Sequence, residues 1–531
     1  MATASDIGAR HRPAHTLGEL LDDAARSRPH AVAVRHDAAV LTYAALRAKV
    51  HATARRFGAL GLQERGATGL LLENTPDSVV AFLAAARLGL RVVPLEPGTT
   101  HTQLASLRAA LGSLAVVGDV PRLTALRDSE EHGPLDCVFV PVNGTAETAE
   151  SVESVESGRP KRSAGSSDVT EALGRDPDAD APFLYQYTSG STGEPKAAVH
   201  PQRNLVNGGE IYARAYGITE GDRILAAVPL LHSFGMVAGL VTALRAGAQL
   251  VLLGRFTPAR LLRTLEQHAC TVLVAAPMAY DLATRAAGAA PSHAPHALRL
   301  CLSSGAALPA TVAERARERL GLDIQQVYGC TETGVIAGRR PEDGAGPDCG
   351  VGRPMPGVEV RVVDERGQAM PAGAEGALLV RTPAMFTEYL GHPEATRRAL
   401  ADGWYRTGDL ARLAPEGHLH LIGRKESFIN VGGKKVNPVE VEQVLLAHPS
   451  VAEAVVWGEA AGDADERVRA TVVARSPLPA KDLTSHCRAR LLPHQVPAAI
   501  DFVTALPKSA MGKVSRAKVA AASAAPPPNH S

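Results

Sequence analysis

Short, predominantly apolar runs separated by helical stretches occupy the middle of this sequence, and they restrict what it can fold into. Leu250 to Leu253, Thr271 to Ala275 and Leu298 to Leu302 read as strands, with helical segments at Pro258 to His268 and Pro309 to Leu320 between or after them. A strand with no polar face belongs in a sheet covered on both sides. Alternation of such strands with helices predicts a largely parallel or mixed sheet, an α/β architecture. Asp77 to Leu90 carries a further helical apolar pattern.

A chain of 531 residues exceeds what one ordinary core supports, so at least two domains are expected. A boundary is predicted at Arg424, separating residues 1–423 from a small α+β unit over 424–519. That unit has helices at Glu440 to His448 and Leu483 to Leu491, and strands at Ala452 to Trp457 and Arg469 to Ala474. Residues 143–181 contain a tandem SVESVES run and no apolar period, and read as a disordered insertion; residues 520–531 read as a disordered tail. The net charge of +1 gives no general attraction to nucleic acid. No apolar stretch is long enough to span a bilayer, the first residues lack the apolar core of a signal peptide, and a cytoplasmic location follows as the expectation. The six cysteines are scattered without zinc spacing and read as free thiols.

Three strings carry chemistry. Tyr187 to His200 reads YTSGSTGEPKAAVH, following the apolar Phe183 and Leu184 of a strand. Gly190 and Gly193 let the backbone approach an anion, Thr188, Ser189, Ser191 and Thr192 add hydroxyl donors, and Lys196 adds positive charge. This is a phosphate loop without the Walker pattern. Val327 to Gly334 reads VYGCTETG. A carboxylate beside a triphosphate needs a divalent cation between them, so Glu332 is a candidate magnesium ligand. Thr331 is a candidate phosphate donor, and Tyr328 offers a flat face to a base. In Tyr405 to Leu410 (YRTGDL), Asp409 reads as an exposed turn carboxylate able to accept two ribose hydroxyls. The competing readings are a flexible turn, a capped strand end and an ordinary turn residue.

Taken in order, these strings resemble the adenylate-forming superfamily of acyl- and aryl-CoA synthetases, nonribosomal adenylation domains and firefly luciferase. The resemblance runs from about His15 to Lys518. It implies that superfamily's fold, with a large N-terminal domain of layered sheets and helices and a small mobile C-terminal domain. It assigns Gly305, Ala306 and Ala307 of SSGAALP to an adenine pocket shared with Tyr328 and Gly329, and Asp409 and Arg424 to the ribose. Lys513, in PKSAMGKV, matches the lysine that bridges the acyl carboxylate and the α-phosphate. Lys425 matches the interdomain hinge, and Gly432 and Gly433 the turn beside a pantetheine tunnel. The chain departs from the common pattern at Ala197, Glu388 and Asn430.

The implied activity is ATP-dependent activation of a carboxylic acid to an acyl-adenylate, then transfer to coenzyme A, with Lys513, Thr188, Lys196 and Glu332 catalytic and magnesium as cofactor. Pro229 to Met236 (PLLHSFGM) offers His232 and Phe234 but no acid before Arg245 to pair with an α-ammonium. With the apolar Ala276, Pro277, Met278 and Tyr280, this favours an aliphatic or aryl acid. An acyl carrier protein in place of coenzyme A, an enzyme keeping one half-reaction, and a homodimer remain open. A non-catalytic nucleotide sensor is disfavoured, because Lys196, Glu332, Asp409 and Lys513 are all present.

Overall fold

The computed structural model describes residues 14–524, apart from 65, 97, 128–136, 143–176, 189–195, 288–296, 344–348, 425–426, 433, 462–464 and 509–513. The three apolar runs form strands Gln249–Leu252, Val272–Ala275 and Leu300–Ser303 of a nine-stranded sheet. Its parallel centre runs, in spatial order, Ile324–Cys330, Leu300–Ser303, Val272–Ala275, Arg223–Ala226 and Gln249–Leu252. Alternate side chains explain why these strands are largely apolar. Val272 and Val274 join the largest core cluster, whereas Leu273 and Ala275 join another, with helices Pro258–Gln267, Pro277–Ala286 and Ala310–Leu320. Both faces are covered, so neither face has a polar row.

The largest cluster also takes residues from a second, seven-stranded sheet and from helices Leu17–Ser27, Tyr43–Ala59, Pro76–Arg87 and Gln202–Tyr216. Pro76–Arg87 shows what that position demands. Thr75 caps it by accepting from the Ser78 amide, Pro76 occupies the first turn, and every residue from Ser78 to Ala86 is buried. A helix apolar on all sides is a core helix, and truncating Phe82 to alanine is expected to cost about 3–5 kcal/mol.

The seven-stranded sheet is parallel from Val138–Pro141 to Pro182–Thr188. It then turns antiparallel through Lys196–Pro201 and Glu388–Tyr389. A five-stranded antiparallel sheet contains Trp404–Leu413 and Leu419–Arg424. The chain is thus mixed α/β with a large N-terminal part. The smaller C-terminal part packs Val451–Ala460, Glu466–Ala474 and Ala499–Phe502 with helices Pro438–Leu446 and Ala480–Arg488. Its core draws only on residues from Ile429 onward.

Several boundaries differ from expectation. The helix expected over 483–491 is Ala480–Arg488, opening directly after Pro479. The tail expected from 520 begins inside a helix, Arg516–Ala524, because Val519 is buried against Trp457. The expected insertion falls mostly outside the described residues. Its last five residues are placed, with Asp180 paired to both Nε and Nη2 of Arg203.

Candidate active site

The parallel strands of the nine-stranded sheet end at one edge, where α/β proteins bind ligands. Along that edge, Tyr328 to Glu332 continue from Ile324–Cys330. Gly305 to Ala307 follow Leu300–Ser303, Met278 follows Val272–Ala275, and His232 and Phe234 follow Arg223–Ala226. Four segments far apart in sequence therefore become neighbours.

Tyr328 and Glu332 flank a hairpin between Ile324–Cys330 and Gly334–Gly338. Gly329 is required there, since a Cβ would lie 2.1 Å from the Gly334 carbonyl oxygen. The Tyr328 hydroxyl donates to Oδ2 of Asp409 at 2.5 Å, and Arg424 Nε donates to Oδ1 at 3.0 Å. Burial, reinforced by the Asp409 charge, pushes the Tyr328 phenol far up, so it stays a donor. Asp409 departs from its expected setting: it is not in an exposed turn but buried within strand Trp404–Leu413, which pairs Asp409 directly with Arg424. The strand tolerates the YRTGDL string because Gly408 takes a φ of +78°.

Glu332 is buried and differently held. Its Oε1 accepts from the Tyr389 hydroxyl at 2.8 Å, and its carbonyl accepts from the Phe386 amide at 2.7 Å. No arginine or lysine pairs with it among the described residues. A single carboxylate, backed by a hydroxyl, suits magnesium, which takes most of its ligands from phosphate oxygens and water. No group of three or more potential protein ligands occurs among the described residues, so the protein offers no closed cage of its own.

Thr188 and Lys196 face each other as the last pair of an antiparallel ladder, closing the loop between them. Ser189, Gly190, Ser191, Thr192 and Gly193 lie outside the described residues, as do Lys425, Gly433 and Lys513. The segment carrying Lys513 is anchored at both ends. Lys508 bridges Val514 and pairs with Glu453 at 2.7 Å, and Arg516 donates to both oxygens of Glu442 at 2.8 Å. Gly432 adopts a φ of +56° in the turn between Ile429–Val431 and Lys434–Val436.

His232 is half-buried and its Nδ1 accepts from the Phe234 amide at 3.4 Å. Phe234 is buried against Tyr212, and Met278 is exposed at the start of its helix. Tyr280 is not a pocket residue. It sits on the helix face that packs on the sheet, in the outer core, with its hydroxyl donating to the Leu273 and Leu302 carbonyls. After Phe234 comes a seven-residue π-helix, Gly235–Val241, a rare element that tends to mark functional sites. The six cysteines form no disulfide, and burial pushes the Cys270 and Cys301 thiols up to about 12 and Cys330 higher still, which leaves these three unreactive.

Sequence reasoning missed Tyr389, Tyr405 and His200. His200 is buried on strand Lys196–Pro201 and neither ring nitrogen is hydrogen-bonded. Burial holds its imidazole down to about 4, with the nearby Thr331 backbone opposing. In the YRTGDL string, buried Tyr405 precedes exposed Arg406, a pattern that marks a strand residue facing the core and not a role in a site.

The model of the AMP-binding enzyme family matches residues 21–390, and that of the AMP-binding enzyme C-terminal domain matches residues 440–513. The chain belongs to this family. Among its AMP-binding relatives, the benzoate–CoA ligase of Thauera aromatica is 33% identical over 477 residues, covering 87% of each chain. The o-succinylbenzoate CoA synthetase of Bacillus subtilis has been solved with its acyl-adenylate intermediate and with ATP and magnesium ion. Both structures match with a TM-score of 0.79 at 27% identity over 94% of this chain, covering 97% and 98% of theirs. The AMP-binding family's layered architecture is thus present over nearly the whole chain.

Proposed function

We propose that this AMP-binding protein is an acid–thiol ligase, which uses ATP to convert a carboxylic acid to an acyl-adenylate and then to its coenzyme A thioester. The observation that carries the reading is the convergence at one sheet edge. Asp409, Tyr328 and Arg424 form a polar cradle suited to ribose, and Glu332 lies on the same hairpin as Tyr328. Phe386 and Tyr389 tie that hairpin to the strand that begins at Lys196.

In this mechanism the adenine lies against Tyr328, Gly329 and Gly305 to Ala307. Asp409 and Arg424 hold the ribose. The triphosphate lies along Thr188 to Lys196, with Thr331 donating to it. Glu332 would hold magnesium, which would supply positive charge to offset that of the triphosphate. The substrate carboxylate attacks the α-phosphorus, a P–O bond forms, and the bond to pyrophosphate breaks. Lys513 stabilises the charge gathered at the α-phosphate. The C-terminal domain, residues 424–519, then turns about Lys425 and withdraws Lys513. The thiol sulfur, having lost its proton, attacks the acyl carbon past Gly432 and Gly433, and AMP leaves. His232, Phe234 and Met278 line the acid pocket. The lack of an acidic side chain from Pro229 to Arg245 favours an aliphatic or aryl acid without an α-amino group.

Hydroxylamine trapping over a panel of acids, with ATP and with or without coenzyme A, tests the reading. An acid-dependent hydroxamate and an acyl-CoA product are expected. No hydroxamate and no ATP turnover with any acid would defeat it. A hydroxamate without acyl-CoA would point to a carrier-protein thiol or to a single half-reaction. Sedimentation decides between monomer and homodimer, and fractionation tests the cytoplasmic location; no described helix is long and apolar enough to cross a membrane.

A further inference from the structure

We propose that Tyr389 is a positioning residue: its hydroxyl orients Glu332 towards magnesium and fixes the spacing between that carboxylate and the phosphate-binding strand. The inference rests on the proposed magnesium role of Glu332.

The argument begins with the segment Phe386 to Leu390, which is bonded on two sides. Towards the phosphate strand, the Thr387 amide donates to the Val199 carbonyl and the Leu390 amide to the Ala197 carbonyl, and Tyr389 pairs with Ala198. These contacts lie within four residues of Lys196. Towards the other side, the Phe386 amide donates to the Glu332 carbonyl and the Tyr389 hydroxyl to Glu332 Oε1. One short segment therefore grips the backbone and carboxylate of Glu332 with one hand and the strand leaving the phosphate loop with the other.

The segment is rigid for identifiable reasons. Tyr389 is buried, its amide donates to Thr396 Oγ1 at 2.9 Å, and its ring lies 4.7 Å from Phe386. Tyr405 meets Phe386 edge-on at 5.5 Å and brings its hydroxyl within 3.5 Å of that of Tyr389. Glu332 Oε2 has no hydrogen-bond partner among the described residues. A structural tyrosine would need only its ring here. The hydroxyl, spent on the one carboxylate of the Thr331 to Gly334 turn, is what points to a role in metal binding.

The test compares Tyr389→Phe, Glu332→Gln and the double variant, reading ATP affinity by calorimetry with and without magnesium, and bound Mn²⁺ with ATP by electron paramagnetic resonance. Tyr389→Phe is expected to lower metal-dependent ATP affinity about tenfold, leaving the metal-free affinity unchanged. Raised magnesium should restore kcat. In the Glu332→Gln background, Tyr389→Phe should have no further effect. Tyr405→Phe, which keeps the Tyr389 hydroxyl, should show a smaller change. An unaltered metal dependence in Tyr389→Phe, or an additive effect in the double variant, would overturn the inference alone. An unaltered metal dependence in Glu332→Gln would overturn the magnesium assignment beneath it.

Discussion

Two buried carboxylates, Asp409 and Glu332, are each gripped by a tyrosine hydroxyl, but only one has its charge answered by the protein. Asp409 accepts from Tyr328 and also from Arg424, so both oxygens are engaged. Glu332 accepts from Tyr389 and has no cationic partner among the described residues. A buried charge without a counter-charge is costly. The difference suits Asp409 to the uncharged diol proposed for it, and Glu332 to the proposed cation that would arrive with the nucleotide.

The sharpest way to break this comparison is Glu332→Gln. Acid-dependent pyrophosphate exchange should fall at least about 100-fold, as for loss of a group that stabilises developing charge; a loss confined to KM for ATP would make Glu332 a binding group like Asp409. His200 sharpens the comparison next, because it is a buried base that interacts with the Thr331 backbone and burial keeps it neutral. Its folded-state value of about 4 lies below its ordinary 6.5. Protonation therefore favours the unfolded chain, and stability present above pH 6.5 is lost as pH falls towards 4. The loss is roughly 3 kcal/mol at most. Melting temperatures of His200→Leu should show a flatter acid limb; an identical limb would mean that His200 is not buried neutral.

A smaller effect is expected of Asp409→Asn, which should raise KM for ATP about tenfold with less change in kcat. A fall in kcat as deep as that of Glu332→Gln would erase the distinction. Arg424 is half-exposed, so loss of its ion pair should alter stability little. Smallest is Tyr328→Phe, which keeps the ring against the base and leaves Arg424 on Asp409. About a threefold rise in KM for ATP is expected, measured in the same exchange assay.

The residues of the two carboxylate sites were legible in the sequence to different degrees. Glu332 was legible as a candidate once a triphosphate was expected, because a carboxylate beside a triphosphate needs a cation between them; the VYGCTETG string by itself read equally as a capped strand end. Asp409 was legible as a residue but not as an environment. A glycine on its N-terminal side suggested an exposed turn, and the long strand Trp404–Leu413 absorbed that glycine instead. Tyr389 and Tyr405 gave no sign of their role, since a tyrosine in a strand reads as core and its hydroxyl partner lies 57 residues away in one case. Tyr280 misled for the reverse reason: its place beside apolar pocket candidates said nothing about which helix face it occupied.

Local composition alone determined the buried strands and marked the glycine- and hydroxyl-rich loop and the charged groups as candidates, because each depends on side chains within a few residues of one another. The order of the strands, the meeting of Tyr328 with Asp409, and the grip of Tyr389 on Glu332 were decided only by the tertiary structure. Such contacts depend on which strands become neighbours, and the parallel sheet joins segments whose separation in the chain carries no signal of that pairing.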